Sequence, residues 1–151
     1  MQNVSSHVNR DCITANPGND EWKCFMAEYT APHIKTPFFA LQSAYDEWQM
    51  SNVVALPCGM PHCNTTEKAA FLGFRDQLLD RLKPTLALPQ FGIWLDSCFL
   101  HGQQDVHGDW NKLTISGVTA AKAFGDWFFN RSSAAQRQHI DCPYPCCDDK
   151  Y

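Results

Sequence analysis

Apolar positions along the chain come in short runs separated by polar, proline-marked turns. PFFALQS (37–43) and FGIWLDS (91–97) are compact apolar and aromatic stretches of strand length, the second reading as a buried strand. Between them, Phe71, Phe74, Leu78 and Leu82 recur at helical spacing in TEKAAFLGFRDQLLDRLKP, where Pro84 is expected to stop the helix. Asn64, with Glu67 three residues on, has the form of a capping box at its start. Residues 117–129, GVTAAKAFGDWFF, predict a second helix with Ser116 as its N-cap. EWQMSNVV, after the first strand, is expected to be a short helix or turn. Residues 1–24 read as loop-rich, with Asn16-Pro17-Gly18-Asn19 as a turn, and LPCGMPHC as a tight proline-bounded loop.

The order strand, helix, strand, helix implies a right-handed crossover and a parallel pair. Two strands cannot make an independent domain of this kind, because parallel sheets need more strands and helices on both faces. The expected fold class is therefore α/β, with residues 1–151 a single partial domain from the edge of a larger sheet.

Composition narrows the compartment and the partners. The chain is 44% hydrophobic and 19% charged, with a net charge of −4, so nothing electrostatic favours nucleic acid or an anionic membrane. No stretch reaches the roughly 18 to 20 apolar residues of a membrane span. The eight cysteines, Cys12, Cys24, Cys58, Cys63, Cys98, Cys142, Cys146 and Cys147, suggest an oxidising compartment and a disulfide framework. Sequons at Asn3, Asn64 and Asn130 agree with a secreted glycoprotein, although a glycan on Asn64 would compete with its capping role. The start, MQNVSSHVNRDC, has neither the basic nor the apolar region of a signal peptide, so truncation at the N-terminus is expected.

In open parallel sheets, functional residues collect beyond the carboxyl ends of strands. Asp46 follows the first strand and His101 follows the second, which puts both on one rim. An Asp then a His is the order of the last two members of an α/β-hydrolase triad. The chemistry needs both: an imidazole to take and return a proton, and a carboxylate to fix its tautomer and stabilise imidazolium. The plainer reading is that Asp46 caps the helix after it and His101 satisfies loop hydrogen bonds.

The segments TPFFALQSAYDEWQM, FGIWLDSCFLHGQ, AKAFGDWFFNR and IDCPYPC resemble, in order and spacing, the C-terminal half of plant-type pectin acetylesterases. That family is similar to the animal Notum carboxylesterases. The resemblance runs from about Cys12 to the end of the chain and implies an α/β-hydrolase-like, disulfide-stabilised fold. It makes Asp46 and His101 two members of a Ser-His-Asp triad, and implies an enzyme that removes acetyl groups from cell-wall pectin without metal or organic cofactor.

Two departures stand out. The family's nucleophile elbow, G-C-S-A-G-G, is not matched and no G-x-S-x-G occurs, while Ser97 sits inside a strand-like run. The nucleophilic serine and its oxyanion-hole donors are therefore expected outside this chain, which alone should be inactive. Second, Gly102 stands where the family has a cysteine after the histidine, which affects the expected pairing of Cys98.

Other features have competing readings. Zinc would need the cysteine and histidine clusters at 58–63 and 142–147 in a reduced state, and neither has paired C-x2-C spacing. Bridges Cys12–Cys24 and Cys58–Cys63, with Cys98 tied to the C-terminal cluster, are expected instead, with the connectivity left open. His7, His33, His62, His107 and His139 read as surface or loop residues. Trp94 and Trp127 read as core, and Trp48 and Trp110 as candidate sugar contacts near the rim. By resemblance, the loop GQQDVHGDW after His101 borders the acceptor groove. The expected partner is acetylated pectin or a related polysaccharide, and the expected state a monomer in the extracellular space or cell wall. Two alternatives stand beside this: a truncated, non-catalytic secreted homologue, carbohydrate-binding or inert, and a Notum-like deacylase of a lipidated protein.

Overall fold

The computed structural model describes residues 5–59, 62–102 and 109–147. In chain order the elements are α1 (Arg10–Ala15), α2 (Ala27–Thr30), β1 (Phe39–Ser43), α3 (Glu47–Asn52), α4 (Thr65–Leu86) and β2 (Gly92–Asp96). There follow α5 (Asp109–Lys112), a hairpin of β3 (Thr114–Ile115) and β4 (Val118–Thr119), α6 (Ala120–Phe128) and β5 (Gln138–Ile140). β1, β2 and β5 form one parallel sheet in that order, with β2 central. The fold is α/β, as the sequence pattern implied.

The period-two alternation of the strands builds two cores. Ala40, Ile93, Leu95 and Ile140 join Phe71, Phe74, Leu78 and Leu82 of α4 in one cluster. Phe39, Leu41 and Trp94 join Ala120 and Ala123 of α6 in another. The two helices thus cover opposite faces, and every residue of β2 is buried. Gly92 lies where the second face is tightest. A Cβ there would fall 2.4 Å from Phe39 Cδ2 and 2.8 Å from Trp127 Cδ1. Gly92→Ala is expected to cost about 1–3 kcal/mol through overpacking. Thermal denaturation checks this, and an unchanged melting temperature would contradict it.

Several sequence expectations need correction. Pro84 does not stop α4, which runs on to Leu86. A proline in the last turn forgoes only its own hydrogen bond to the carbonyl of Asp80, an exposed residue, so the helix tolerates it. Ser116 does not cap α6. It forms the hairpin turn with Gly117, both at positive φ (51° and 77°), and Thr119 is the cap, accepting from the Lys122 amide. Residues 1–24 are less irregular than expected, containing α1 and most of a 3-10 helix at Gly18–Phe25. A third strand, β5, joins the two foreseen.

β5 also displaces His139 from the surface role expected of it. The residue pairs with Trp94 in the sheet and is half-buried, and burial holds its imidazole below the ordinary value of 6.5. The unfolded chain therefore binds the proton more readily. This contribution to stability is complete above about pH 6.5 and lost as pH falls below it. His139→Gln is expected to flatten the loss between pH 7 and 5 in denaturant titrations.

The eight cysteines form four bridges: Cys12–Cys24, Cys58–Cys63, Cys98–Cys147 and Cys142–Cys146. They are therefore disulfide sulfurs, not thiolates available to zinc. No described helix is long and apolar enough to cross a membrane.

Candidate active site

β1 and β2 run parallel and in register, Ser43 opposite Asp96, so their carboxyl ends open on the same rim. The chain leaving each strand is stitched to the other. The Ala44 amide donates to the Asp96 carbonyl at 2.8 Å, and the Glu47 amide to the Leu100 carbonyl at 3.4 Å. Ser43 Oγ, fully buried, accepts from the Tyr45 amide at 2.9 Å and donates to the Cys98 carbonyl. Tyr45 is fixed in turn. Its ring stacks on Phe71 with centroids 4.4 Å apart, and its hydroxyl accepts from the Tyr144 amide at 3.1 Å.

This frame brings Asp46 and His101 together. His101 Nδ1 lies 2.7 Å from Asp46 Oδ2. A carboxylate can only accept, so the proton of a neutral imidazole sits on Nδ1 and leaves Nε2 as a base. Asp46 is buried (3% exposed), whereas the His101 side chain is 62% exposed, which leaves its far edge open to an incoming group. Asp46 Oδ1 accepts from the Gln49 amide at 2.9 Å as the N-cap of α3. The helix cap and the imidazole contact thus fall on the two oxygens of one carboxylate. Gln42 Nε2 donates to Oδ2 as well, at 3.3 Å. Sequence reasoning missed Gln42 and Ser43; the available signal was two polar residues closing an otherwise apolar strand.

Other candidate residues take varied places. Trp48, on α3 two residues after Asp46, is 54% exposed. Trp110 is half-buried, its ring 5.8 Å from Phe124 in the α6-side core. Trp94 is fully buried, and Trp127 is partly buried, donating from Nε1 to the Gln90 carbonyl. Ser97 is buried and donates to Asp141 Oδ2 at 2.8 Å. Asn64 caps α4 through the foreseen capping box, and Asn130 Oδ1 accepts from Arg137. Both asparagines are exposed, whereas Asn3 lies outside the described residues. His107 and most of the loop after His101, residues 103–108, also lie outside them.

The pectinacetylesterase family model matches residues 1–150. The chain belongs to this family. It is 33% identical over 140 residues to pectin acetylesterase 7 of Arabidopsis thaliana, covering 83% of this chain and 35% of that protein. Against pectin acetylesterase 5 of the same plant it is 28% identical over 161 residues, covering 97% and 36%. The palmitoleoyl-protein carboxylesterase NOTUM of Schmidtea mediterranea is a more distant relative, 26% identical over 133 residues, covering 84% of this chain and 23% of that protein. The chain thus spans about a third of the length of the pectin acetylesterases it matches.

Proposed function

We propose that this chain is the C-terminal part of an α/β-hydrolase-like carboxylesterase, carrying the acid–base half of a Ser-His-Asp triad. The observation that supports this most is the 2.7 Å Asp46–His101 contact beyond the carboxyl ends of adjacent parallel strands, in a member of the pectinacetylesterase family. The serine and its oxyanion-hole donors come from the rest of the parent polypeptide.

In the proposed reaction, the serine oxygen attacks the acetyl carbonyl while its proton moves to His101 Nε2. Asp46 stabilises the imidazolium. The sugar oxygen leaves with that proton, giving an acetyl-serine. Water then attacks, its proton again passing to Nε2, and acetate departs as the serine recovers a proton. No cofactor enters these steps.

The substrate we favour is acetylated pectin or a related polysaccharide, since the identity to the pectin acetylesterases exceeds that to NOTUM. Trp48 offers an exposed ring beside the site for stacking a sugar, with Trp110 as a further contact deeper in the fold. Four disulfides and exposed sequons at Asn64 and Asn130 support action outside the cell or in the wall. One observation favours a second, non-catalytic reading: the 151 residues contain no G-x-S-x-G.

Acetate release from acetylated pectin separates the two. The 151-residue chain alone is expected to show no His101-dependent release, and the parent polypeptide to release acetate. A parent that releases neither acetate from pectin nor an acyl group from a lipidated protein would leave only the second reading.

A further inference from the structure

Three donors meet the Asp46 carboxylate. The Gln49 amide takes Oδ1, whereas His101 Nδ1 and Gln42 Nε2 share Oδ2. They differ in how firmly they are held. Gln42 projects from β1, paired in register with Leu95 of the buried central strand. His101 sits on a loop with most of its side chain exposed. If His101 were the sole donor to Oδ2, each movement of the imidazole would strip that oxygen of its partner within a buried setting, and the carboxylate would be free to turn about its helix-cap bond. A second donor anchored in the sheet prevents this.

The polar side chain also lacks a plainer explanation. Gln42 closes a strand whose preceding residues, Phe39, Ala40 and Leu41, are apolar and pack into the two cores. We infer that Gln42 is a positioning residue: by donating to Oδ2 beside His101, it holds the Asp46 carboxylate in the plane that keeps the His101 proton on Nδ1. The inference rests on the reading of Asp46 and His101 as an acid–base pair. Gln42 touches neither the imidazole's reactive nitrogen nor the substrate in this role, and acts through Asp46.

The test uses the parent polypeptide with 15N-labelled histidine, read by two-bond proton–nitrogen spectra at a pH high enough to keep the imidazoles neutral. In the wild-type chain, His101 is expected to show one protonated and one bare nitrogen, with widely separated shifts. Gln42→Met keeps the length of the side chain and removes the donor; its two His101 nitrogen shifts are expected to move together as the tautomers interconvert. His139, on the far side of β2, should keep its wild-type spectrum, which a general loosening of the fold would not allow. Gln42→Leu gives the same readout should methionine perturb the strand. Wild-type separation of the His101 nitrogens in both variants would overturn the inference. Merged nitrogens in the wild type, or a proton still fixed on Nδ1 in Asp46→Asn, would overturn the pair itself and the role of Gln42 with it. In the active parent polypeptide, Gln42→Met is expected to lower kcat roughly tenfold with KM unchanged, as for one lost charge-assisted hydrogen bond.

Discussion

In the parent polypeptide, His101→Ala is expected to lower acetate release from acetylated pectin by a factor on the order of 10⁴ or more. On the proposed mechanism no other group is placed to take the serine proton, so the loss falls on kcat, with KM little changed. Asp46→Asn should cost on the order of 10⁴ as well, because an amide can donate to Nδ1 and so favours the wrong tautomer. The two losses should not add, since either one disables the same proton transfer. The exposed position of His101 makes the first variant the cleaner one: it removes no core packing and creates no cavity. Asp46→Asn touches a helix cap too, but asparagine caps about as well as aspartate, so a stability loss should not mimic the catalytic one. Initial rates with acetylated pectin check both; rates within a few fold of wild type would sink the triad assignment.

Removal of the Cys98–Cys147 bridge is expected to have the largest effect on stability. The bridge closes a loop with a sequence separation of 49, and both cysteines are buried, at 2% and 3% exposed. Loop-closure entropy gives it about 4 kcal/mol, or roughly 10 °C in melting temperature for a domain of this size. The local Cys58–Cys63 bridge, with a separation of only 5, should contribute less on the same reasoning. The long bridge also bears on the site. Cys98 lies between β2 and His101, and its carbonyl is the acceptor of the Ser43 hydroxyl. A Cys98→Ala/Cys147→Ala chain should therefore melt at lower temperature and hold His101 less firmly against Asp46. Calorimetry of the double variant decides the first; equal melting temperatures would contradict the entropic argument.

What the sequence revealed and what it hid follow from the length of each signal. β2 was legible because five consecutive buried residues leave a near-continuous apolar run. α4 was legible because its apolar face repeats over several turns and opens on a capping box. β5 was not: it has three residues, two of them Gln138 and His139, and owes its place to pairing with β2. The start of α6 was misplaced because Ser116 has the chemistry of a cap, yet the Ser116-Gly117 turn closes a hairpin of two-residue strands too short to announce itself. Within the site, the positions of Asp46 and His101 after two strands were readable from pattern, but their 2.7 Å contact was not. It depends on parallel register, on the Ser43 and Ala44 hydrogen bonds that join the strand exits, and on a carboxylate able to cap a helix and hold an imidazole at once. Such relations across more than 50 residues leave no local trace.

Treatment of the native polypeptide with a serine-directed fluorophosphonate, followed by mapping of the modified peptide, tests the central claim most directly. One rapidly labelled serine outside these 151 residues is expected, with labelling that collapses in His101→Ala. Absence of rapid labelling, or labelling indifferent to His101, would contradict it.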